Sequence, residues 1–216
     1  EANYPRIVRR DFFDTCVPMN GNGEKPRAFC TMPDMSGGEV AVVLPRLDAI
    51  VGNPPYVRQE NIEKPDKLRY SALASSAWQG LRLTGRADLH CYFWPVAAKF
   101  LKDEGYFGFL TSSSWLDVEY GFALQGWILK NFKLLAVIES LDEPWFQDAR
   151  VKTTITILQR CDDEKTRMAN VVKFVRLLKP VKDILGKRSY GDEAARQDAV
   201  EALRHLILRT DQQHSD

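Results

Sequence analysis

Asn53, Pro54, Pro55 and Tyr56 follow directly on a short apolar stretch, residues 49–52, and their side chains suit one kind of chemistry. The two prolines lack backbone N–H donors and restrict the chain, so the Pro54 carbonyl is hard to draw into a helical turn and is left to face a pocket. Asn53 adds a side-chain carbonyl acceptor. Tyr56 adds a flat aromatic face on which a heterocycle can stack.

Two acceptors that converge on one point suit an NH2 group. An amino group on an aromatic ring is a poor nucleophile, because its lone pair is delocalised into the ring. Accepting both of its hydrogens draws the nitrogen toward tetrahedral geometry and makes the lone pair available to an electrophile, with no strong base required. The N6 amino group of adenine fits this scheme, and so does a side-chain amide.

Hydrophobic periodicity predicts the elements that must position this turn. Apolar residues at three- and four-residue spacing predict helices at 88–103, 116–131 and 192–209, with Gly105 ending the first. Strands are predicted at 5–9, 39–44, 49–52, 106–112, 134–140, 151–160 and 170–178, the stretch at 49–52 as a buried one. Loops are predicted at 18–38 and 57–87, the second with a short helix at 73–83.

This alternation of strands and helices predicts an α/β fold with a mostly parallel sheet. The strands at 134–140 and 151–160 are joined by a loop without a helix, which predicts an antiparallel hairpin at one edge. Ligands bind at the carboxyl ends of the strands in such sheets. The turn that begins at Asn53 lies at one of these ends.

Composition limits the classes of function. The chain has 216 residues and a net charge of +1, which argues against a DNA-binding surface all round but permits a local basic face at 58–86. Its four cysteines form no CxxC pair and its three histidines are scattered, so no metal site is predicted. No apolar run reaches the ~18 residues of a membrane span. We therefore expect a cytoplasmic protein with reduced thiols, without a membrane segment.

An Asn-Pro-Pro-Tyr sequence after a strand resembles the catalytic motif of adenine-N6 DNA methyltransferases that use S-adenosylmethionine. The longer sequence NPPYVRQE resembles the Eco57I-like subgroup found in type IIG restriction-modification enzymes. Protein-glutamine methyltransferases share the shorter motif. Four further segments resemble elements of the Eco57I-like family: RRDFFD at 9–14, DLHCYF at 88–93, GYFGFLTSSSWL at 105–116 and WFQDARVKTTITILQR at 145–160. His90 stands where tyrosine is usual, and Ser112 where proline is common.

The resemblance implies a Rossmann-like S-adenosylmethionine-dependent methyltransferase fold, a flipped target adenine and a role for each matching residue. Asn53 and Pro54 would hold the N6 group, with Pro55 completing the turn, while Tyr56 and Phe146 would stack on the two faces of the base. Three residues would bind the cofactor: Asp11 and Phe12 at its adenine, and Phe93 in the pocket wall. Asp11 also fits a turn cap, and each of the phenylalanines also fits an ordinary core position.

The family's glycine-rich cofactor turn should precede Asp11 and is not found there. We therefore expect residues 1–160 to be a partial catalytic domain, truncated at its N-terminal part, with an incomplete S-adenosylmethionine site. Residues 161–216 are predicted to be a C-terminal extension of strand and helix toward a target-recognition domain. The expected partners are double-stranded DNA and the missing N-terminal segment, a target-recognition domain or a specificity subunit.

The leading function is thus adenine-N6 DNA methylation in a bacterial or archaeal restriction-modification or phage-defence enzyme. A protein-glutamine methyltransferase is a second interpretation, disfavoured by the long 57–87 insertion and by the element that contains Phe146. A non-catalytic DNA-binding or assembly module is a third, disfavoured by the intact residues 53–56.

Overall fold

The computed structural model of the protein describes residues 9, 11–14, 28–33, 36–141 and 152–209. The strands are β1 Ala28–Pro33, β2 Glu39–Leu44, β3 Leu47–Gly52, β4 Leu101–Ser112, β5 Phe132–Ser140, β6 Thr153–Arg160 and β7 Lys173–Leu177. The α-helices are α1 Lys64–Ala77, α2 Leu89–Ala98, α3 Ser114–Asp117, α4 Gly121–Asn131, α5 Glu164–Met168, α6 Val181–Leu185 and α7 Glu193–Arg209. Short 3-10 helices occupy Phe12–Asp14, Gln59–Asn61 and Lys187–Tyr190.

The main sheet has five strands in the order β3-β4-β6-β5-β7. Strands β3 and β4 are parallel, as are β5 and β7, while β6 runs antiparallel to both of its neighbours. The predicted α/β class is therefore confirmed, with a mixed sheet in which four of the five strands run in the same direction. The predicted β5–β6 hairpin forms but does not lie at the edge, because β6 inserts between β4 and β5 and β7 adds beyond β5.

Strands β1 and β2 form a separate antiparallel pair, in which Ala28 lies opposite Leu44. The prediction of a loop over 18–38 is thus wrong for residues 28–33. The chain reverses between the two strands through Gly37, whose φ of +84° is a conformation that glycine adopts at little cost. Because Gly37 permits this reversal, part of the stretch predicted as loop can pair with β2.

Several element boundaries also differ from the prediction. Helix α1 begins in the stretch predicted as loop, where Pro65 fits the first helical turn, and it ends at Ala77. Helix α2 ends at Ala98 rather than near 103, and β4 already begins at Leu101. Gly105 therefore lies inside a strand, in a distorted part of β4 where Glu104 has a φ of +60°. The predicted helix at 116–131 is divided into α3 and α4.

The core lies between the sheet and the helices α2 and α4, and it is aromatic. Trp94 of α2 is fully buried and contacts the rings of Phe107, Phe109 and Trp115 at centroid distances of 5.5–5.6 Å. Aromatic pairs of this kind contribute about 0.5–1.5 kcal/mol each beyond their buried area. The cluster fixes the end of β4 and the start of α3 as one packed unit.

Strand β3 was predicted to be buried, and this prediction is wrong. Val51 is 84% exposed and Tyr106 on the neighbouring β4 is 50% exposed. β3 lies at the edge of the sheet, and among the described residues no helix covers the face that carries these two side chains. Its apolar composition is typical of a parallel strand covered on both faces, so the sequence signal alone indicates burial.

The C-terminal extension joins the same sheet through β7, which pairs with β5. A second, smaller core forms there, in which Leu177 packs with Val181, Ile184 and Ile207. The continuation of this extension toward a target-recognition domain stays a prediction. Within the described ranges no helix combines the length and the apolarity needed to cross a bilayer.

Candidate functional site

The residues Asn53, Pro54, Pro55 and Tyr56 leave the carboxyl end of β3 without forming regular secondary structure. β4 ends beside them at Ser112, which lies opposite the first residue of β6. Asn53 and Pro55 are exposed, Pro54 is buried and Tyr56 is half-buried. The four predicted catalytic residues thus follow the carboxyl end of a strand, as the sequence predicted.

Neither of the two proposed acceptors in this turn has a hydrogen-bond partner among the described residues. Within the described part of the chain, no hydrogen bond engages the Asn53 side chain, and no backbone N–H donates to the Pro54 carbonyl. A buried backbone carbonyl such as that of Pro54 normally has a hydrogen-bond partner. Their availability is consistent with a bound group that supplies two N–H donors.

Tyr56 is anchored at its hydroxyl end. The hydroxyl donates to the backbone carbonyl of Leu110 in β4 over 3.3 Å, which ties the ring to the neighbouring strand. Burial raises the pKa of Tyr56 to about 12, so the phenol stays neutral at physiological pH and cannot act as a general base there. Its contribution is therefore the position of the ring.

Gly52 makes the approach of this turn to the core possible. A Cβ atom at Gly52 would lie 2.7 Å from the ring of Phe109, which is 3% exposed and held by Phe107 at 4.2 Å. We expect Gly52→Ala to lower the free energy of unfolding by about 1–3 kcal/mol, because the buried ring has little room to move. Urea denaturation measures this change.

Gly85→Ala is the matched control for Gly52→Ala, because a Cβ atom at Gly85 meets nothing within 4 Å. Its effect should stay within about 0.5 kcal/mol. Equal stabilities of the two variants would contradict the steric argument.

Two of the predicted cofactor residues, Phe12 and Phe93, belong to one aromatic cluster. Phe12 stacks on Phe93 with a centroid distance of 4.9 Å and an interplanar angle of 13°. Phe13 packs edge-on against Phe93 and stacks on Tyr70 at 4.1 Å. The structure therefore joins the predicted residues Phe12 and Phe93, and the sequence reasoning missed the contributions of Phe13 and Tyr70.

Asp11 caps the short segment of residues 11–14 and also forms an ion pair with Arg69. Its Oδ1 accepts the backbone N–H of Phe13 at 3.0 Å, which is the turn-cap role left open by the sequence. Arg69 of α1 lies 3.5 Å from Asp11 Oδ2 and also pairs with Asp14. These contacts fasten residues 11–14 to α1.

A polar network beside the turn was not predicted. Asp88 accepts the backbone N–H of Gln59 at 3.0 Å and the hydroxyl of Tyr120 at 2.8 Å, and Tyr120 contacts Ser114 Oγ at 2.8 Å. Burial raises the pKa of Tyr120, and the hydrogen bond to Asp88 adds to that increase. The only sequence signal for this network was an aspartate at the start of a helix, which is equally typical of an N-cap.

Part of the chain is similar to known methylases. Residues 45–146 match the family described as the Eco57I restriction-modification methylase. That region makes up just under half of the chain. Over 126 residues the chain is 30% identical to the type II methyltransferase M.PaeR7I of Pseudomonas aeruginosa, a match that covers 58% of this chain and 21% of the relative.

A second relative, the type II methyltransferase M.XamI of Xanthomonas campestris pv. amaranthicola, is 37% identical over 91 residues. That match covers 42% of this chain and 17% of the relative. The type IIG restriction endonuclease BpuSI has a similar fold, with a TM-score of 0.54 at 15% identity over 79% of this chain and 18% of that one. The matches thus span about a fifth of the length of these relatives.

The Eco57I-type methylase region runs from the residues before β3 to Phe146, so it includes the Asn53–Tyr56 turn, α2 and β4. The Rossmann-like methyltransferase fold expected from the sequence is confirmed by this family and by the five-stranded sheet. Phe146 itself lies outside the described residues. In the sequence it lies between β5 and β6, and the end of β5 and the start of β6 lie at the same end of the strands as the turn.

This methylase family implies S-adenosylmethionine, and the described residues fit it in part. Phe12 and Phe93 supply an apolar wall and Asp11 supplies a carboxylate. Two rings stacked 4.9 Å apart leave no space for a third ring between them, so an adenine could pack only on the outer side of this pair. Half-burial of Phe12 leaves part of its ring open for such a contact.

His90 of the methylase region makes stability depend on pH. The side chain is 1% exposed, and burial lowers its pKa to about 4, against the opposing influence of Asp88. Between the unfolded pKa of about 6.5 and this value, the unfolded chain binds a proton that the folded chain does not. We expect the free energy of unfolding to fall by a few kcal/mol as pH decreases through this window.

Urea denaturation of the wild type and of His90→Gln at pH 7, 5.5 and 4.5 measures this effect. The variant removes the titrating group, so its stability should decrease less steeply than that of the wild type. Parallel curves would show that other groups cause the pH dependence.

Proposed function

We propose that the protein is an adenine-N6 DNA methyltransferase of the restriction-modification type, acting in the bacterial or archaeal cytoplasm. The observation that supports it best is the Asn53–Tyr56 turn, with two available carbonyl acceptors and an anchored aromatic ring at the carboxyl end of β3. The relatives M.PaeR7I and M.XamI are named as type II methyltransferases, which supports the same class of reaction.

The chemistry follows from the two acceptors. The Asn53 side-chain oxygen and the Pro54 carbonyl accept the two hydrogens of the adenine N6 group, and this raises the electron density on the nitrogen. S-adenosylmethionine supplies an electrophilic methyl group when it is bound. Pro55 disfavours a helical conformation in which the Pro54 carbonyl would accept a backbone hydrogen bond. Catalysis in this scheme comes from positioning and electrostatics.

The target base must leave the duplex to reach this turn, at a cost of a few kcal/mol. Tyr56 would stack on one face of the flipped adenine, and Phe146 on the other. Each aromatic stacking contact contributes about 1–3 kcal/mol per base, so the two together can offset most of the cost. The hydrogen bond from Tyr56 to Leu110 fixes one of these two rings before the base arrives.

The remaining roles follow the family. Asp11, Phe12 and Phe93 would bind the adenosine part of the cofactor, with the adenine on the outer side of the Phe12–Phe93 pair. Residues 1–160 would form the catalytic part, and 161–216 would lead toward a target-recognition domain. Double-stranded DNA is the substrate, and a further segment or a specificity subunit would select its sequence.

The deciding experiment is methyl transfer from labelled S-adenosylmethionine to bacterial DNA by the full-length protein, with the DNA digested to nucleosides. Labelled N6-methyladenine that is absent with Asn53→Ala supports the proposal. Label in a protein glutamine instead of DNA would favour a protein-glutamine methyltransferase. DNA binding without any methyl transfer would favour a non-catalytic binding module.

Arg58 is an exposed basic residue directly after the Asn53–Tyr56 turn, and we propose that it contacts the DNA backbone. It is exposed, and its neighbours are fixed, because the Val57 carbonyl accepts from the backbone N–H of Leu89 and Gln59 donates to Asp88. We expect Arg58→Ala to weaken DNA binding about equally for all sequences. The slope of log K against log salt should decrease by about 1, as expected for the loss of one phosphate contact.

Fluorescence anisotropy at several salt concentrations measures this slope. Lys130→Ala is the matched control, because Lys130 is exposed in the last turn of α4, which leads into the start of β5 at the opposite end of the sheet. The same change in slope for both variants would contradict a specific contact by Arg58.

A further inference from the structure

Asp88 occupies the N-cap position of α2, but its side chain forms no hydrogen bond with its own helix. An N-cap aspartate usually accepts from the N–H groups of the first helical turn. Here Oδ1 accepts the backbone N–H of Gln59 at 3.0 Å instead. The carboxylate therefore binds the backbone just after the Asn53–Tyr56 turn and does not cap the helix that it precedes.

Residues 57–59 are held on 88–89 by two hydrogen bonds. Besides the Gln59–Asp88 bond, the backbone N–H of Leu89 donates to the carbonyl of Val57 at 2.9 Å. The Gln59 side chain also accepts from Lys67 Nζ at 3.0 Å. The Asn53–Tyr56 turn is thus held by β3 before it and by the two hydrogen bonds between residues 57–59 and 88–89 after it.

The other carboxylate oxygen connects to the end of β4. Oδ2 accepts the hydroxyl of Tyr120 at 2.8 Å and lies 3.5 Å from Ser114 Oγ. Ser114 in turn contacts Ser112 Oγ at 2.9 Å, and Ser112 is the last residue of β4. A carboxylate with donors on both oxygens is held in one orientation, because hydrogen bonds to a charged acceptor are strong. It therefore links the turn to the neighbouring strand.

We propose that Asp88 is a positioning residue for methyl transfer, which holds the Asn53–Tyr56 turn in register with β4 through the Gln59 amide. This inference rests on the proposed function. Asp88 does not itself touch the base in this scheme. A displacement of about 1 Å at a reacting group can reduce a rate by about 10²-fold, so loss of the downstream anchor reduces the rate more than the affinity.

The test measures single-turnover methylation and DNA affinity in the full-length protein. Asp88→Ala should lower the single-turnover rate by about 10- to 100-fold and change the Kd for DNA by less than about twofold. Asp88→Asn should restore most of the rate, because its Oδ1 still accepts from Gln59 and its amide can donate to the Tyr120 oxygen. An Asp88→Ala rate within twofold of wild type would overturn the proposal.

Asp163→Ala is the matched control for a purely structural role. Asp163 is also an N-cap aspartate, and it accepts the backbone N–H of Thr166 at 2.8 Å. It follows β6 at the end of the sheet away from the turn. This variant should lower the melting temperature without changing the methylation rate. If Asp163→Ala reduced the rate of the folded protein as much as Asp88→Ala, the positioning role would be wrong.

Hydrogen exchange separates this proposal from the proposed function, because it needs no methyl acceptor. Asp88→Ala should reduce the protection of the amides at 57–61, Gln59 above all, while Asp163→Ala should leave them unchanged. Unchanged protection in Asp88→Ala would overturn the proposal. A wild-type protein that transfers no methyl group to adenine would overturn the proposed function, and the exchange result would then decide by itself whether Asp88 holds the turn.

Discussion

Replacing Asn53 with leucine should reduce methylation of adenine by on the order of 10²- to 10³-fold or more, while the protein remains folded. Leucine has nearly the shape of asparagine but carries no acceptor, so one of the two N6 hydrogens loses its partner in the transition state. Asn53 is exposed and makes no hydrogen bond within the described residues, so its loss removes no contact that stabilises the fold. Single-turnover kinetics and thermal denaturation measure the two effects.

Asn53→Asp is the informative companion to this substitution. Aspartate keeps an acceptor oxygen at the same position, so it should retain more activity than leucine, despite the added charge. If the two variants lost equal activity, the role of Asn53 would not be that of an acceptor. If leucine lowered the melting temperature by the same amount as a core substitution, the residue would have a structural role instead.

Gly121→Ala should destabilise the protein more than any other glycine substitution in the described chain. A Cβ atom at Gly121 would lie 1.9 Å from the backbone carbonyl oxygen of Trp115. A backbone atom cannot rotate away as a side chain can, and Trp115 is itself 1% exposed in the aromatic core. We expect a loss of about 3 kcal/mol or more, at the upper end for overpacking.

Gly121→Ala should also disturb the hydrogen bonds beside the Asn53–Tyr56 turn. Tyr120 directly precedes Gly121, and its hydroxyl donates to Asp88, which also accepts from Gln59 just after the Asn53–Tyr56 turn. A shift at the start of α4 would therefore separate Tyr120 from Asp88. We expect protection of the Gln59 amide in hydrogen exchange to decrease along with the free energy of unfolding.

Gly126→Ala provides the matched control in the same helix. A Cβ atom at Gly126 meets nothing within 4 Å, and alanine favours the helical conformation over glycine. Its stability should rise by about 0.5–1 kcal/mol. Urea denaturation of both variants measures the contrast, and a destabilised Gly126→Ala would show that the difference does not arise from the close approach to Trp115.

Local pattern was enough for much of the secondary structure. The alternating residues of β6 and the apolar β5 have the period and composition of strands, and α7 has the period of an amphipathic helix. Errors occurred where one pattern fits two structures. Leu101 continues the helical period of α2, but it pairs with Leu47 of β3 and begins β4. That choice depends on a residue more than fifty positions away.

The sequence by itself determined where the proposed catalytic turn lies and which family its surroundings resemble, because four adjacent residues carry both. Only the tertiary structure decided which partners surround this turn. It placed Phe12 on Phe93, left Val51 exposed at the sheet edge and turned the Asp88 carboxylate away from its own helix to Gln59 and Tyr120. The physical reason is that a local pattern reports the conformation of a segment, whereas these contacts depend on segments 29 to 81 positions apart in the chain.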